Sequence, residues 1–224
     1  MNHALKASAG NEGRYIAALH IRASNWFEKN GLAGEAIHHA LTAKDFERAA
    51  ALIERAWSGM DKSLQSATWL GWAKMIPDEL VRKRPVLSAG YAWALLDAGE
   101  IESCEPRLQD AEKWLEFISS KRVKHEDTLS GIVVADEEQF RLLPVTIAAA
   151  RAYKASAQGD IKATIKFAKK AMELIPDENC QTGEVANTLL GLAQWANGEL
   201  EAAYTTITDG IMNKQMEIRS SCCS

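Results

Sequence analysis

A carboxylate and an imidazole four residues apart, Glu35 and His39, are the first residues in this chain whose types and spacing could do chemistry. On a helix they share one face and could offer two metal ligands or an acid–base pair. A metal site needs further ligands, however, and no other His, Cys or carboxylate completes the pattern. His38 beside His39 points to a different face. The run Asp136-Glu137-Glu138 is best read as negative charge at the positive end of a helix. The stripe Lys162, Lys166, Lys169, Lys170 follows helical spacing and reads as a solvated face. Cys104 and Cys180 are isolated, and Cys222-Cys223 stand together in a polar tail with no positive neighbours to depress a thiol pKa. There is no C-x-x-C pair, no G-x-x-x-x-G-K-[ST] phosphate loop and no G-x-G-x-x-G after a strand. The residues therefore predict no enzyme, no metal site and no resident cofactor. Seven tryptophans are the exception to this chemical blandness. Most should pack between helices, while a few could line a groove that stacks on sugar rings, drug-like effectors or peptide side chains.

The bulk properties narrow the function classes. The chain has 224 residues, 47% of them apolar and 25% charged, enough for a substantial core in one domain or two small ones. A net charge of −4 argues against unaided nucleic-acid binding, which needs a basic footprint. No run of 18 apolar residues occurs, so no membrane span is expected. Met1 to Gly13 lacks the charged-then-apolar layout of a secretory signal, which predicts a cytoplasmic protein.

The elements that must position any site are helices. The turns Ala98-Gly99-Glu100, Gln158-Gly159-Asp160 and Asn197-Gly198-Glu199 each separate two helical runs rich in small residues. Glycine closes a helix C-terminus in the left-handed conformation, and the following carboxylate suits the start of the next helix. Before these units, periodicity predicts helices over Arg14 to Asn30, Ala33 to Ala43 and a run capped by Asp45, then one from Asp61 to Ile76. Pro85 should open a helix, Pro106 should fall in a first turn after Ser103, and Pro144 should kink or split the helix Ala135 to Gln158. Helices over Asp160 to Ile175, Thr182 to Ala196 and Glu199 to about Met212 complete the list, with Pro176-Asp177 closing the first of them. The turn glycines lie 60 and then 39 residues apart, against roughly 34 to 47 for a two-helix repeat. Much of the excess falls where Ser119 to Gly131 reads as a surface loop. The expected fold is all-α: a TPR-like helical-hairpin superhelix, an α-solenoid. Residues 1–13 should form a flexible segment and 213–224 a disordered tail.

The stretch from Leu19 to Leu32, with Trp26-Phe27-Glu28-Lys29-Asn30-Gly31, continues through Glu35-Ala36-Ile37-His38-His39-Ala40-Leu41 to Asp45-Phe46-Glu47-Arg48-Ala49-Ala50. It resembles a characteristic segment of large ATP-dependent LuxR-type regulators, the MalT-like activators. Arg84-Pro85, Tyr91 to Leu96, Gly159-Asp160 with Ala171 and Pro176, and Leu190 to Ala203 agree, so the likeness covers about residues 14–211. The resemblance implies that residues 14–58 are the helical linker following a winged-helix part and that residues 59–212 are the TPR-like superhelix. It also implies a sensor region that binds a small-molecule inducer or a regulatory protein in its groove, with self-association open to it. ATP and DNA would be engaged only through domains that these residues do not match. Counting back from the turn glycines, the groove positions would be Trp93, Asp97, Tyr153, Ser156, Thr188 and Trp195. A free-standing TPR-like adaptor that binds a peptide or helix is the second reading. An all-helical enzyme is the third, and it would need convergent carboxylates or histidines.

Overall fold

The structure, a computed structural model, describes residues 2–62, 65–120, 132–175 and 181–221. Side chains are described over 13–60, 65–116, 132–175 and 183–210. Eleven helices stand among the described residues, with no strand: α1 (Asn2–Lys29), α2 (Ala33–Thr42), α3 (Phe46–Lys62), α4 (Ser66–Ala73), α5 (Asp78–Arg82), α6 (Pro85–Asp97), α7 (Glu105–Ser120), α8 (Glu137–Ala157), α9 (Ile161–Glu173), α10 (Gln181–Ala196) and α11 (Leu200–Ser221). The expected all-α class is the observed one.

Several boundaries differ from expectation. Helix α1 begins at Asn2, so the backbone of residues 2–13, expected as a flexible segment, is helical and continuous with the helix read from Arg14. Helix α11 runs to Ser221, past the expected end near Met212, so the backbone of residues 213–221 is helical. The helix expected over Asp61 to Ile76 is divided: Asp61 and Lys62 belong to α3, and α4 is only Ser66–Ala73. The proposed domain boundary at 58/59 therefore falls inside α3. One apolar cluster runs from Ala36 through Trp57 and Leu96 to Ala150, so no division exists there. Helix α8 passes through Pro144 unbroken, and Pro106 is the second residue of α7. The expectations about 121–131, Pro176-Asp177, Cys180 and Cys222-Cys223 lie outside the described residues.

The recurring turn is more frequent than the glycines suggest. Gly31, Lys44, Gly99, Gly159 and Gly198 all have positive φ, from 58° at Lys44 to 85° at Gly198. Each turn carries the same two hydrogen bonds, as in Asp160 N–H to the Ala155 carbonyl (2.9 Å) and Gly159 N–H to the Ser156 carbonyl (3.0 Å). At Lys44 the pair is Asp45 N–H to Ala40 (3.0 Å) and Lys44 N–H to Leu41 (3.0 Å). These are Schellman caps, which satisfy carbonyls that a helix end leaves free. Asp160 and Asp45 then accept from Ala163 N–H (2.9 Å) and Arg48 N–H (3.2 Å), capping the following helices.

Packing builds outward from α6, which is buried along nearly its whole length and touches α3, α4, α5, α7 and α8. Trp57 and Trp69 meet edge to face at 4.8 Å beside it, and the Trp69 indole donates to the Ile53 carbonyl (2.8 Å). Further on, alanines replace aromatics. Ala148, Ala149, Ala171 and Ala186 form one cluster, and Ala152, Ala168 and Leu190 another, so α8, α9 and α10 approach closely.

One buried ion pair joins the two halves. Glu54 on α3 is fully buried and Arg84 is 4% exposed, at 3.4 Å. The other Glu54 oxygen accepts from the backbone N–H of Ala135 (2.7 Å) and Asp136 (3.2 Å), where α8 begins. Burial raises the Glu54 pKa above its usual 4.5, opposed by these amides and by Arg84. Its ionisation is thus costlier in the folded chain than in the unfolded one. By linkage, stability falls as pH rises from 4.5 through the raised value.

Two outcomes follow, both measurable by denaturant unfolding. Arg84→Met strands a buried carboxylate and costs about 3–5 kcal/mol at pH 7, a loss that shrinks on acidification as Glu54 takes up a proton. Gly99→Ala costs about 1–2 kcal/mol because alanine resists the left-handed region, whereas Lys44→Gly is neutral or stabilises by about 0.5 kcal/mol.

Candidate functional site

Helices α4, α6, α8 and α10 pack side by side in succession, with α7, α9 and α11 as their hairpin partners. The expected groove positions belong to three members of this row, but the structure separates them into two places.

Trp93 and Tyr153 form the seam between α6 and α8. Their rings meet edge to face at 5.8 Å, and the Trp93 indole donates to the Thr146 carbonyl (3.2 Å). Both are half-buried and their aromatic faces are largely spent on packing. Asp97 lies one turn beyond Trp93 and Ser156 one turn beyond Tyr153, both exposed at the end of the seam. Partial burial raises the Asp97 pKa, and a hydrogen bond from Ser66 opposes the shift. The seam thus presents a carboxylate and a hydroxyl above two aromatic rings, which suits hydrogen-bond donors on a ligand.

Thr188 and Trp195 are elsewhere. Ala186, Leu189, Leu190 and Ala193 turn α10 toward α8 and α9, and helical geometry puts Thr188 and Trp195 on the far side. Trp195 is 65% exposed, and the Thr188 hydroxyl only bonds back to the Glu184 carbonyl (2.9 Å). These two belong to the end of the stack, with exposed Leu192 on α10 and Leu200, Tyr204 and Ile207 on α11. Sequence reasoning passed over the last four. A signal was present: they lie 39 residues after Tyr153, Ile161, Ile165 and Ala168, of which Ile165 and Ala168 pack against α10.

The polar residues first considered for chemistry have structural partners. His39 meets His20 of α1 through their Nδ1 atoms at 2.8 Å and stacks on Phe27 at 5.2 Å, leaving Glu35 exposed. Asp136 caps α8 by accepting from Gln139 N–H (3.0 Å), and Lys162, Lys166, Lys169 and Lys170 are exposed. Arg151 on α8 grips Glu112 of α7 with two hydrogen bonds (2.8 and 2.6 Å) and Glu105 with a third (2.6 Å). Burial would push Glu105 up, but hydrogen bonds from Arg151, Lys154 and Gln109 bring it down to about 2. No group of three His, Cys, Asp or Glu suited to a metal exists among the described residues, and no helix among them is long and apolar enough to cross a membrane.

No family model matches the chain. Over 79 residues, 35% of its length, it is 38% identical to serine/threonine-protein kinase PknK of Mycobacterium tuberculosis, and equally to PknK of Mycobacterium bovis. The match spans 7% of those kinases, which are far longer than this chain. Among solved structures it is similar to the MamA protein, at a TM-score of 0.56 and 10% identity, over 91% of this chain and 94% of that one. At that identity the likeness shows the fold alone: an all-α, TPR-like helical repeat.

The division of the six groove positions has a measurable consequence. Trp93→Ala opens the α6–α8 seam and costs about 2 kcal/mol or more in urea unfolding, whereas Trp195→Ala changes stability by less than about 0.5 kcal/mol.

Proposed function

We propose that this chain is the effector- or partner-binding helical-repeat region of a LuxR-type, MalT-like transcription regulator. Its role is to bind and to report binding to domains outside these residues, without catalysis of its own. The observation that carries the reading is the segment Leu19 to Ala50, whose residues resemble the family's characteristic segment and which occupies α1, α2 and the start of α3. The TPR-like fold supports it.

The groove at the end of the α6–α8 seam is the proposed binding place, with Asp97 and Ser156 as polar anchors and Trp93 and Tyr153 as its apolar floor. An effector that prefers one arrangement of the stack over another would shift the equilibrium between resting and active forms.

The test is a thermal-shift screen of the full chain against neutral and amino sugars, nucleotides and small amphipathic metabolites. A ligand at 100 times its dissociation constant adds about 2.7 kcal/mol of stability. The expected result is at least one stabilising compound whose effect disappears in Asp97→Ala and Ser156→Ala, with unchanged melting of the unliganded variants. Stabilisation that survives both substitutions, or none from any compound, contradicts the proposal.

A further inference from the structure

Two imidazoles from different helices hold each other directly. The Nδ1 atoms of His20 on α1 and His39 on α2 lie 2.8 Å apart, with ring centroids at 5.0 Å. Phe27 of α1 stacks on the His39 ring at 5.2 Å, the planes 10° apart. One turn along α1 from His20, the Ser24 hydroxyl donates to the Ala36 carbonyl (2.8 Å). These contacts join α1 to α2 across the Gly31 turn. Both imidazoles are half-buried, and none of the seam residues takes part.

Protonation decides what the imidazole contact can be. A bond between two Nδ1 atoms needs one N–H and one bare lone pair. With no added proton, one ring donates and the other accepts. With one, an imidazolium donates to a neutral ring, and charge strengthens the bond. With two, both Nδ1 atoms carry hydrogen, no acceptor remains, and two like charges face each other. The contact survives the first proton and fails at the second.

Surrounding charges place those protons. His39 lies in the last turn of α2, where helix carbonyls favour a cation. Exposed Glu35 stands one turn before it on the same helix and adds to that preference. The second proton must then go to His20. There the Arg48 guanidinium of α3 is one turn away, bonded through Nε to Ser24 (2.9 Å) and held by Glu28, which Arg55 also engages. His38, whose ring is 5.6 Å from that of His39, can bring a further positive charge. Arg22 on α1 and Lys44 after α2 are exposed cations, and Asp45 uses its carboxylate to cap α3. Neither His20 nor His39 is ion-paired to a carboxylate among the described residues.

We propose that the His20–His39 contact is a proton-operated latch between α1 and α2, closed while the pair carries at most one proton and open when it carries two. Histidine ordinarily changes charge between about pH 5 and about pH 8, so the latch works across that interval. With α1 released, the two rings are apart and bind the second proton more readily. By linkage, the α1–α2 contact weakens as pH falls. The sign is opposite to that of Glu54, whose burial makes the fold more stable as pH falls toward 4.5. The latch also stands apart from Asp97 and Ser156, so it and ligand binding at the seam succeed or fail independently.

The test is amide hydrogen exchange of the full chain at about pH 7.5 and about pH 5, corrected for the intrinsic rate at each pH. Amides of α6 serve as the reference for global opening. On acidification, protection from Ala17 to Ser24 should fall about tenfold or more relative to α6, the scale of one lost hydrogen bond with like-charge repulsion added. Imidazole nitrogen spectra should show one bare Nδ1 in the pair at the higher pH and none at the lower. His39→Phe keeps a ring for Phe27 to stack on but can neither bond His20 nor take a proton. His20→Gln removes titration from the other member. In both variants the pH dependence of α1 relative to α6 should shrink to less than about twofold. Each protein is compared with itself at two pH values, so a general loss of stability does not mimic the effect. Wild-type α1 protection that tracks α6 at both pH values overturns the proposal. So does a bare Nδ1 in both spectra, or a variant that keeps the wild-type pH dependence.

Discussion

Glu54 places a carboxylate with no exposed surface in the middle of a helix stack, and the rest of the arrangement follows from meeting its needs. An ion there is tolerable only if its lone pairs are filled and its charge is opposed. Arg84 supplies the cation, Ala135 and Asp136 supply amides, and in doing so they bind three distant parts of the chain. Helix α3 is fixed against the start of α6, and the segment leading into α8 is drawn onto both. Asp136 is then free to cap α8 with its own side chain. The same Arg84 also reaches Glu47 at 3.2 Å, so α3 is gripped at two points. A surface pair would contribute little, but a buried one is intolerant of losing either member. The polar junction fixes register between elements that apolar packing alone could let slide.

Beyond that junction the chain changes its manner of packing. Around α6 the core uses large rings, Trp57, Trp69 and Tyr91, with Gly90 admitting them: a Cβ there would sit 3.2 Å from Trp57. From α8 onward it uses alanine against alanine and leucine, repeated hairpin by hairpin. Between α7 and α8, Ala111 and Leu115 pack with Phe140, Leu143 and Ile147, and Arg151 and Lys154 add ion pairs to Glu105 and Glu112. A stack built of nearest-neighbour contacts satisfies each hairpin with the next, so its ends are where apolar surface remains. The exposed rings of Tyr15, Trp26, Trp195 and Tyr204 lie at those ends.

The repeat was legible in the sequence because four of its five turns use glycine, the one residue that enters the left-handed region freely. Gly31 was visible as a helix end, but the turn at Lys44 was hidden, since lysine advertises nothing and only tertiary packing holds it at φ 58°. The helical face of α9 was equally legible: Ala171 is fully buried where α8 and α10 cross it. Nothing in the basic run Arg82-Lys83-Arg84 marks Arg84 for burial, because local composition cannot reveal a partner 30 positions earlier. The groove positions counted from the turns fall on α6, α8 and α10, but counting alone could not show that Thr188 and Trp195 sit on the side of α10 turned away from α8 and α9.

A binding face of the kind proposed here must sit on a frame that does not yield. Here the frame is the junction at Glu54, from which both the α6–α8 seam and the terminal hairpins are positioned. Native-state hydrogen exchange of the Ala135 and Asp136 amides probes that junction most directly. Neither amide lies within a helix, yet both donate to a fully buried carboxylate. The account predicts that they exchange as slowly as the amides of α6, opening only with global unfolding. Exchange at the rate of exposed turn amides, such as those near Gly198, would show that Glu54 does not hold the two halves together.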